Sequence, residues 1–462
     1  LILLTTNRSK LNFSFLKSKR VPFIFNLVLT LTLSSLPLGM QKIGPQSIDE
    51  KKTDLGIALT SIVQSKGDRG RLNMWKYTLK MIADRPLLGF GIGNWEVYYP
   101  RYDHGDRVTF YGTPRRPHND FLWILSELGI VGFLCYLWLG LSIVKMTRIH
   151  IRSPNNSTSY IAVACLASLL AITFHSLFSF PRERIPPTLY FWLSLGLISI
   201  LDRSRSQSLI GTIPTRITVS LSLCLTIVQL AFTGRLIDFA THMHRAIQAE
   251  KKNNWQEVAS ETGTAIRAGA FHSEAVHLRG YALNSLKRFS ESRKLYTPAL
   301  KLRPHDIQML NGLAIAEQNL GSFNEARDYY LRALDLVPNL SDIRYNLAGL
   351  YLITNRPDSS ALEYKTVLDQ EGDSPDLLHR FAAASALSGK SDKAIETFRR
   401  AFQLPIAAKV HFQLSEQLYQ QHHRLEALQL FYQTFLQFWK GDPRYKEFTR
   451  NRIAELMSDS SK

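Results

Sequence analysis

The sequence predicts an all-α protein: a polytopic transmembrane helix bundle, expected to be N-terminally truncated, followed by an α-solenoid of helical repeats. Two observations predict it. Long apolar runs, uncharged but for Glu127, crowd the first half of the 462 residues, and a regular repeat of small and bulky residues fills the second. The runs are Val21 to Met40, Phe121 to Val144, Tyr160 to Phe180, Pro186 to Leu201 and Ile217 to Thr233. Each is near the roughly 17–25 residues that cross a bilayer.

The formal net charge of +18 raises the question of nucleic acid. Many of the basic residues flank apolar runs instead of forming a stripe with interleaved aromatics, which argues against that partner. Cys135, Cys165 and Cys224 all fall inside apolar runs and read as small packing residues, with neither metal spacing nor a disulfide framework. The chain opens on Leu1-Ile2-Leu3-Leu4 and then a basic segment, without the order of a signal peptide. We expect these four residues to be the end of an earlier membrane helix.

Basic residues collect in short cytoplasmic loops. Arg8, Lys10, Lys17, Lys19 and Arg20 place the segment 1–20 inside, and a span over 21–40 then delivers residues 41–119 outside. Lys145, Arg148 and Arg152, and later Arg203, Arg205 and Arg216, mark the next two inner loops. Four spans over 120–234 leave everything after Gly234 outside. The short outer turn, with Arg182 and Arg184 against Glu183, weakens the count without reversing it. The fourth run, opening on Pro186-Pro187, is the weakest span, and its loss would put the C-terminal part inside.

From Trp255 on, a small residue is followed four places later by a bulky one and three later by Ala or another apolar residue, as in Ala326/Tyr330/Ala333 and Ala394/Phe398/Ala401. The first position recurs at Val258, Ser292, Ala326, Ala361, Ala394 and Ala427, at spacings of 34, 34, 35, 33 and 33 residues. Pro304 and Pro338 close two copies, and Asn311-Gly312-Leu313-Ala314 and Asn346-Leu347-Ala348 fill the first helices. This resembles the tetratricopeptide repeat, whose period is about 34 residues. About six repeats over 250–457 are expected. Their aromatics read as core and the stack as a protein-binding scaffold, because one helix pair cannot bury its apolar face alone.

Between these halves lies an ordered set of motifs. Arg69-Gly70-Arg71-Leu72-Asn73-Met74-Trp75 leads to Asp84-Arg85-Pro86-Leu87-Leu88-Gly89-Phe90-Gly91-Ile92-Gly93-Asn94-Trp95, then to Pro117-His118-Asn119-Asp120 and Glu127-Leu128-Gly129-Ile130-Val131-Gly132. The order of Arg and Trp, a glycine turn, a His-Asn pair and a Glu-x-Gly entering a membrane helix resembles the O-antigen ligase and polymerase family. The glycines do not form a dinucleotide loop, since the third is misplaced and no strand precedes them. They are expected to cap a helix over Leu72 to Ala83, using positive φ.

The resemblance implies an integral protein of the bacterial inner membrane. Such a protein moves glycan from an undecaprenyl-diphosphate carrier to a hydroxyl of an acceptor lipid or glycan, on the periplasmic side and without a cofactor. That chemistry uses fixed cations on the diphosphate, for which the Arg fork is suited, and a base on the acceptor hydroxyl. His118 and Arg71 are the expected catalytic pair. Arg69, Arg115 and Arg116 are the expected diphosphate ligands, and no metal cluster is expected. Glu127, an ionisable group inside an apolar run, lies on nearly the same face as Asp120, so the two form a possible polar seam. Two alternatives stand: a transferase acting on Ser or Thr of secreted proteins, and a non-catalytic membrane anchor displaying a tetratricopeptide scaffold.

Overall fold

The computed structural model describes residues 70–110, 112–151, 156–177, 185–202, 215–269, 272–404, 408–422 and 425–459. The basic segment 1–20, the expected span at 21–40 and Arg69 lie outside them. Among the described residues the regular structure is helical, with turns and one isolated bridge between Thr109 and Gly112, and the chain divides into two compact units: residues 1–103 with 114–279, and residues 104–113 with 280–462.

In the first unit, α1 (Arg71–Asp84), α2 (Trp95–Tyr98) and α3 (Pro100–Asp103) precede the apolar helices α4 (Asp120–Ile151), α5 (Asn156–His175), α6 (Ile185–Asp202) and α7 (Thr215–Lys251). Cys165, Leu169 and Ile198 form a small core between α4, α5 and α6, joined by Ile143, Met146 and Phe191. Outward, Leu134, Trp138, Leu141, Tyr160, Phe174 and Tyr190 are exposed. So much contiguous apolar surface suits lipid better than water. Two helices, Asp120–Arg148 and Val219–Lys251, are long and apolar enough to cross a membrane, while Ser159–His175 and Pro187–Ile198 are shorter. Spanning length is thus reached in two of the four expected places.

The expected straight span from Phe121 to Val144 is corrected. Gly129 adopts φ 64 and ψ −168 inside α4. The Phe121 ring lies 6.4 Å from Phe133 and 6.2 Å from Tyr136, residues that a straight helix would carry about 18 and 22 Å along its axis. The chain therefore folds back at Gly129. Residues 130–151 form the long arm, roughly 33 Å at helical rise, which matches the hydrocarbon thickness of about 30 Å.

Helix α7 continues into the repeats. Its end packs on α8 (Trp255–Ala268) through Met243, Ala265 and Ala275, and His242 Nδ1 meets Glu261 Oε2 at 2.6 Å. Helix α9 (Ser273–Ser285) follows, and the second unit continues with α10 (Phe289–Leu302), α11 (Ile307–Asn319), α12 (Phe323–Leu336), α13 (Ser341–Ile353), α14 (Pro357–Glu371), α15 (Pro375–Leu387), α16 (Ser391–Gln403), α17 (Ala408–His422), α18 (Leu425–Phe438) and α19 (Arg444–Asp459). Pro304 and Pro338 each stand two residues beyond a helix end, as the sequence suggested.

Burial refines the repeat register. The buried second-helix positions are Val258, Ser292, Ala326, Ser360, Ala394 and Leu428, a uniform step of 34 residues. Ala361 and Ala427 therefore sit one residue away from the repeating position. The correction also restores the bulky partner at Tyr364 and Tyr432, both fully buried. First-helix positions obey the same step at Ala246, Ala314, Ala348 and Ala382, all with no exposed surface, so the period reaches back into α7. The next step falls on Glu416, whose carboxylate takes Arg452 Nε and Nη2 of α19 at 2.9 and 3.0 Å.

The hydroxyls of Ser292 and Ser360 are buried with no hydrogen-bond partner, where the other repeats carry Val, Ala or Leu. Ser360→Ala and Ser292→Ala should each stabilise the chain by about 1 kcal/mol, because a desolvated hydroxyl is removed without loss of a bond. A rise in melting temperature would show it, and a fall would reveal an unseen partner.

A second prediction concerns acid. His379 Nδ1 lies 3.0 Å from Ser415 Oγ and its Nε2 lies 3.0 Å from His411 Nδ1, among Phe398, Phe402 and Phe431. Burial, and for His379 the neighbouring His411, pushes the two imidazoles down from 6.5 to about 3 and about 4. Between those values and 6.5 the unfolded chain binds more protons, so stability that is full above pH 6.5 falls as pH drops. Denaturant melts followed at Trp439, 5.9 Å from His411, should shift to lower midpoints between pH 7 and 5, with a shallower slope in His411→Phe.

Candidate functional site

Helix α1 buries Met74, Thr78 and Met81, the three- and four-residue spacing of one helical face. Thr78 Oγ1 donates to the Met74 carbonyl at 2.8 Å and accepts the Trp95 indole N–H at 3.1 Å. Trp95, fully buried, stacks on Tyr99 with ring centroids 4.3 Å apart. On the flank of α1, the Trp75 indole donates to the Pro117 carbonyl at 2.8 Å. Arg71 stands one turn before Trp75 on the same face, so this bond holds the segment leading to His118 against the side of α1 that carries Arg71.

The glycine turn is spliced into the break of α4. In an unbroken helix, Ile130 and Val131 would donate to the carbonyls of Ser126 and Glu127. Here those carbonyls accept Phe90 N–H at 2.9 Å and Gly91 N–H at 2.8 Å, while Ile130 and Val131 donate to Pro86 and Leu87 at 2.8 and 3.3 Å. Four backbone bonds thus replace those the bend removes. Two glycines permit the approach: a Cβ on Gly89 would stand 2.4 Å from the Glu127 carbonyl carbon, and one on Gly129 would stand 2.2 Å from the Leu87 oxygen. Both have positive φ, 66 and 64. The glycines therefore do more than end α1, which closes on its own when Arg85 N–H bonds Met81.

The Glu127 carboxylate accepts Trp95 N–H at 3.2 Å, tying the short arm of α4 to α2. Asp120 and Glu127 are both buried on that arm, and Asp120 N–H donates to the Ser176 carbonyl beyond α5 at 2.9 Å. Asn119 Oδ1 accepts the N–H groups of Phe121 and Leu122 at 3.0 and 3.1 Å, which is an N-cap. His118, immediately before it, is held at φ 57, a left-handed conformation that costs a non-glycine residue about 1–2 kcal/mol. Arg116 is half-buried, whereas Arg115 is exposed and paired with Glu274 Oε1.

The sequence reading missed three supports. Tyr102 donates to Asp84 Oδ2 at 2.6 Å, and burial and that carboxylate push its phenol up to about 12. The Arg85 guanidinium lies over the Phe90 ring at 4.7 Å. The Asn119 cap was open to detection, since Asn directly before an apolar helical run is a start signal.

Close backbone contact predicts a ranking of glycine variants. Gly89→Ala and Gly129→Ala should abolish stable accumulation in the membrane. Gly93→Ala, with φ 78 but nothing within 4 Å of its added Cβ, should cost only the strain of about 1 kcal/mol. Equal protein levels for all three would refute the splice.

With this geometry in hand, comparison with known proteins is specific. The O-antigen ligase family profile matches residues 1–137, and a tetratricopeptide repeat profile matches 277–341 and 311–375. A Rickettsia conorii protein provisionally named a polysaccharide ligase is 26% identical over 159 residues, 33% of this chain and 35% of its own. The Tetratricopeptide repeat protein 8 of Caenorhabditis elegans is 25% identical over 128 residues, 28% of this chain and 25% of its own. A solved tetratricopeptide repeat protein from Parabacteroides merdae is 14% identical at TM-score 0.36, covering 48% of this chain and 92% of its own. The match spans about a third of the length of the Rickettsia polysaccharide ligases. The buried Trp, the spliced glycine turn, the His-Asn cap and the Glu-x-Gly bend are thus the described part of an O-antigen ligase domain, which this chain joins to a tetratricopeptide repeat region.

Proposed function

We propose that the chain is a bacterial inner-membrane glycan transferase that moves a glycan from an undecaprenyl-diphosphate carrier to an acceptor hydroxyl in envelope polysaccharide synthesis. The observation that supports it best is His118. A strained histidine between Pro117, fixed by Trp75, and the Asn119 cap is the kind of over-determined outlier found at functional sites.

In this reading the acceptor oxygen attacks the anomeric carbon of the donor. The bond from that carbon to the carrier diphosphate breaks, and the diphosphate departs with the electron pair. His118 takes the acceptor proton as general base. Arg71, with Arg69, Arg115 and Arg116 as further cations, offsets the charge growing on the diphosphate. Asp120 and Glu127 position the short arm of α4 and take no part in proton transfer. The motif region and the repeats would lie on the periplasmic side, with the exposed Leu87, Leu88 and Ile92 meeting the membrane face. The repeats would then gather an acceptor or an assembly partner.

Complementation of a deletion strain tests the reading. His118→Ala and Arg71→Ala, at matched membrane levels, should lose mature envelope glycan by at least about 100-fold, the size of a general-base contribution, while lipid-linked donor accumulates. Unchanged glycan in both variants would leave a membrane-anchored repeat scaffold as the function.

A further inference from the structure

Within the second unit, a polar cavity of about 320 Å³ opens between successive repeats, lined by Gln318, Asn319, Tyr345, Asn346, Tyr364 and Arg380 among others. Its volume is at the lower end of the roughly 300–1,000 Å³ of small-ligand sites.

The hydrogen bonds already made by its walls define what it offers. Gln318 Oε1 accepts the Tyr330 hydroxyl at 3.2 Å, which leaves its amide N–H groups to donate. Asn319 Nδ2 donates to the Ile315 carbonyl at 2.8 Å and Asn346 Nδ2 donates to Asn311 Oδ1 at 3.1 Å, which leaves both amide oxygens to accept. Arg380 Nε is spent on both oxygens of Asp376, at 3.1 and 3.0 Å. The guanidinium is thus charge-compensated, and its terminal N–H groups, beside the Tyr364 side chain, are further donors. The Tyr364 hydroxyl is fully buried in the cavity wall, with the Arg380 guanidinium as its polar neighbour and no well-aligned hydrogen bond. A buried hydroxyl whose only neighbour is poorly aligned is under-satisfied, and a ligand oxygen beside Arg380 and Tyr364 would complete the set.

Donors and acceptors therefore alternate around one cavity, beside a neutralised cation. A carboxylate only accepts, so it would find two amide oxygens and the Asp376 charge against it. A sugar hydroxyl both donates and accepts, and it fits each of these groups. We infer that this cavity is a carbohydrate subsite, taking one or two neutral sugar residues of a glycan chain. Naming that chain as the transferred glycan or its acceptor rests on the transferase reading above; the site itself does not.

The test uses the full chain in detergent and, as probe, polysaccharide released from the cell envelope by mild acid. Tyr364→Phe removes one hydroxyl and keeps the buried ring, so the fold is retained, and Asn346→Leu removes an acceptor. Wild type should bind the polysaccharide, with each variant about tenfold weaker, the worth of one good hydrogen bond. Absence of binding by wild type, or undiminished wild-type affinity in both variants, overturns the subsite. An acidic peptide that binds more tightly than the polysaccharide, and is lost in the same variants, overturns it in favour of a peptide site. Donor consumption, measured separately on the same preparations, bears on the transferase reading alone: wild type that binds glycan without consuming donor sinks transfer and leaves the subsite standing.

Discussion

Everything around the motif region depends on one exchange of backbone hydrogen bonds. A helix bent sharply at Gly129 leaves carbonyls and N–H groups without their in-helix partners, and in or near lipid no water compensates them. The Pro86–Gly91 turn supplies the missing donors and acceptors, so the bend and the turn stabilise each other. This exchange fixes the short arm of α4, and with it Asn119, Asp120 and Glu127. Trp95, bonded to Thr78 and Glu127, then locks the arm to α1, and Trp75 closes the circle by fixing Pro117. The motifs are distant in sequence because each supplies one side of a joint.

The repeats rest on a different constraint, the distance between neighbouring helices. A residue with little or no side chain recurs at Ala246, Gly280, Ala314, Ala348 and Ala382, and from Gly280 on the second helix of the same repeat carries a buried ring, at Tyr296, Tyr330, Tyr364 and Phe398. At Gly280 a Cβ would stand 2.1 Å from the Tyr296 ring, so even Ala demands a shift there. The pattern ends where Glu416 replaces the small residue. There the Tyr432 hydroxyl bonds the carboxylate and Arg452 neutralises it from α19. A stack whose next neighbour is a charged helix has a solvated face, as terminal repeats require.

Periodicity made the helices and the repeat unit legible, because burial acts on every turn and leaves a trace each few residues. It left the register ambiguous wherever two small residues adjoin: Ser360 and Ala361 are both small, and only the position of Tyr364 decides between them. The bend was illegible for a related reason. Apart from Ser126 and Glu127 the composition is apolar on both sides of Gly129, so hydropathy alone joins the two arms into one span. The signals that break it, Gly129 and Gly132, have meaning only once Leu87 and Leu128 are found against them. Glu127 could be recognised as expensive in that setting, but its partner, a backbone N–H 32 residues away, leaves no mark in local sequence. His118 and Arg71 were read from motif order, and their common link is the indole of Trp75.

On the proposed reading, the arginines differ in what they give up to meet a diphosphate. Arg115 already holds Glu274, but both groups are nearly half exposed, and such a pair is worth only about 0–1 kcal/mol. A dianionic leaving group with paired oxygens would displace it readily, since phosphate matches the guanidinium fork and carries more charge. Arg71 opens the helix whose buried row, Met74, Thr78 and Met81, lies on its own side, so its backbone is preorganised and little backbone entropy is lost on binding. Arg85 is the contrasting case: stacked on Phe90 beside the splice, it would have to abandon a ring contact that shields the turn. Charge alone does not rank these side chains. What each must release separates Arg115, whose exposed pair opens cheaply when a diphosphate arrives, from Arg85, whose ring contact shields the turn.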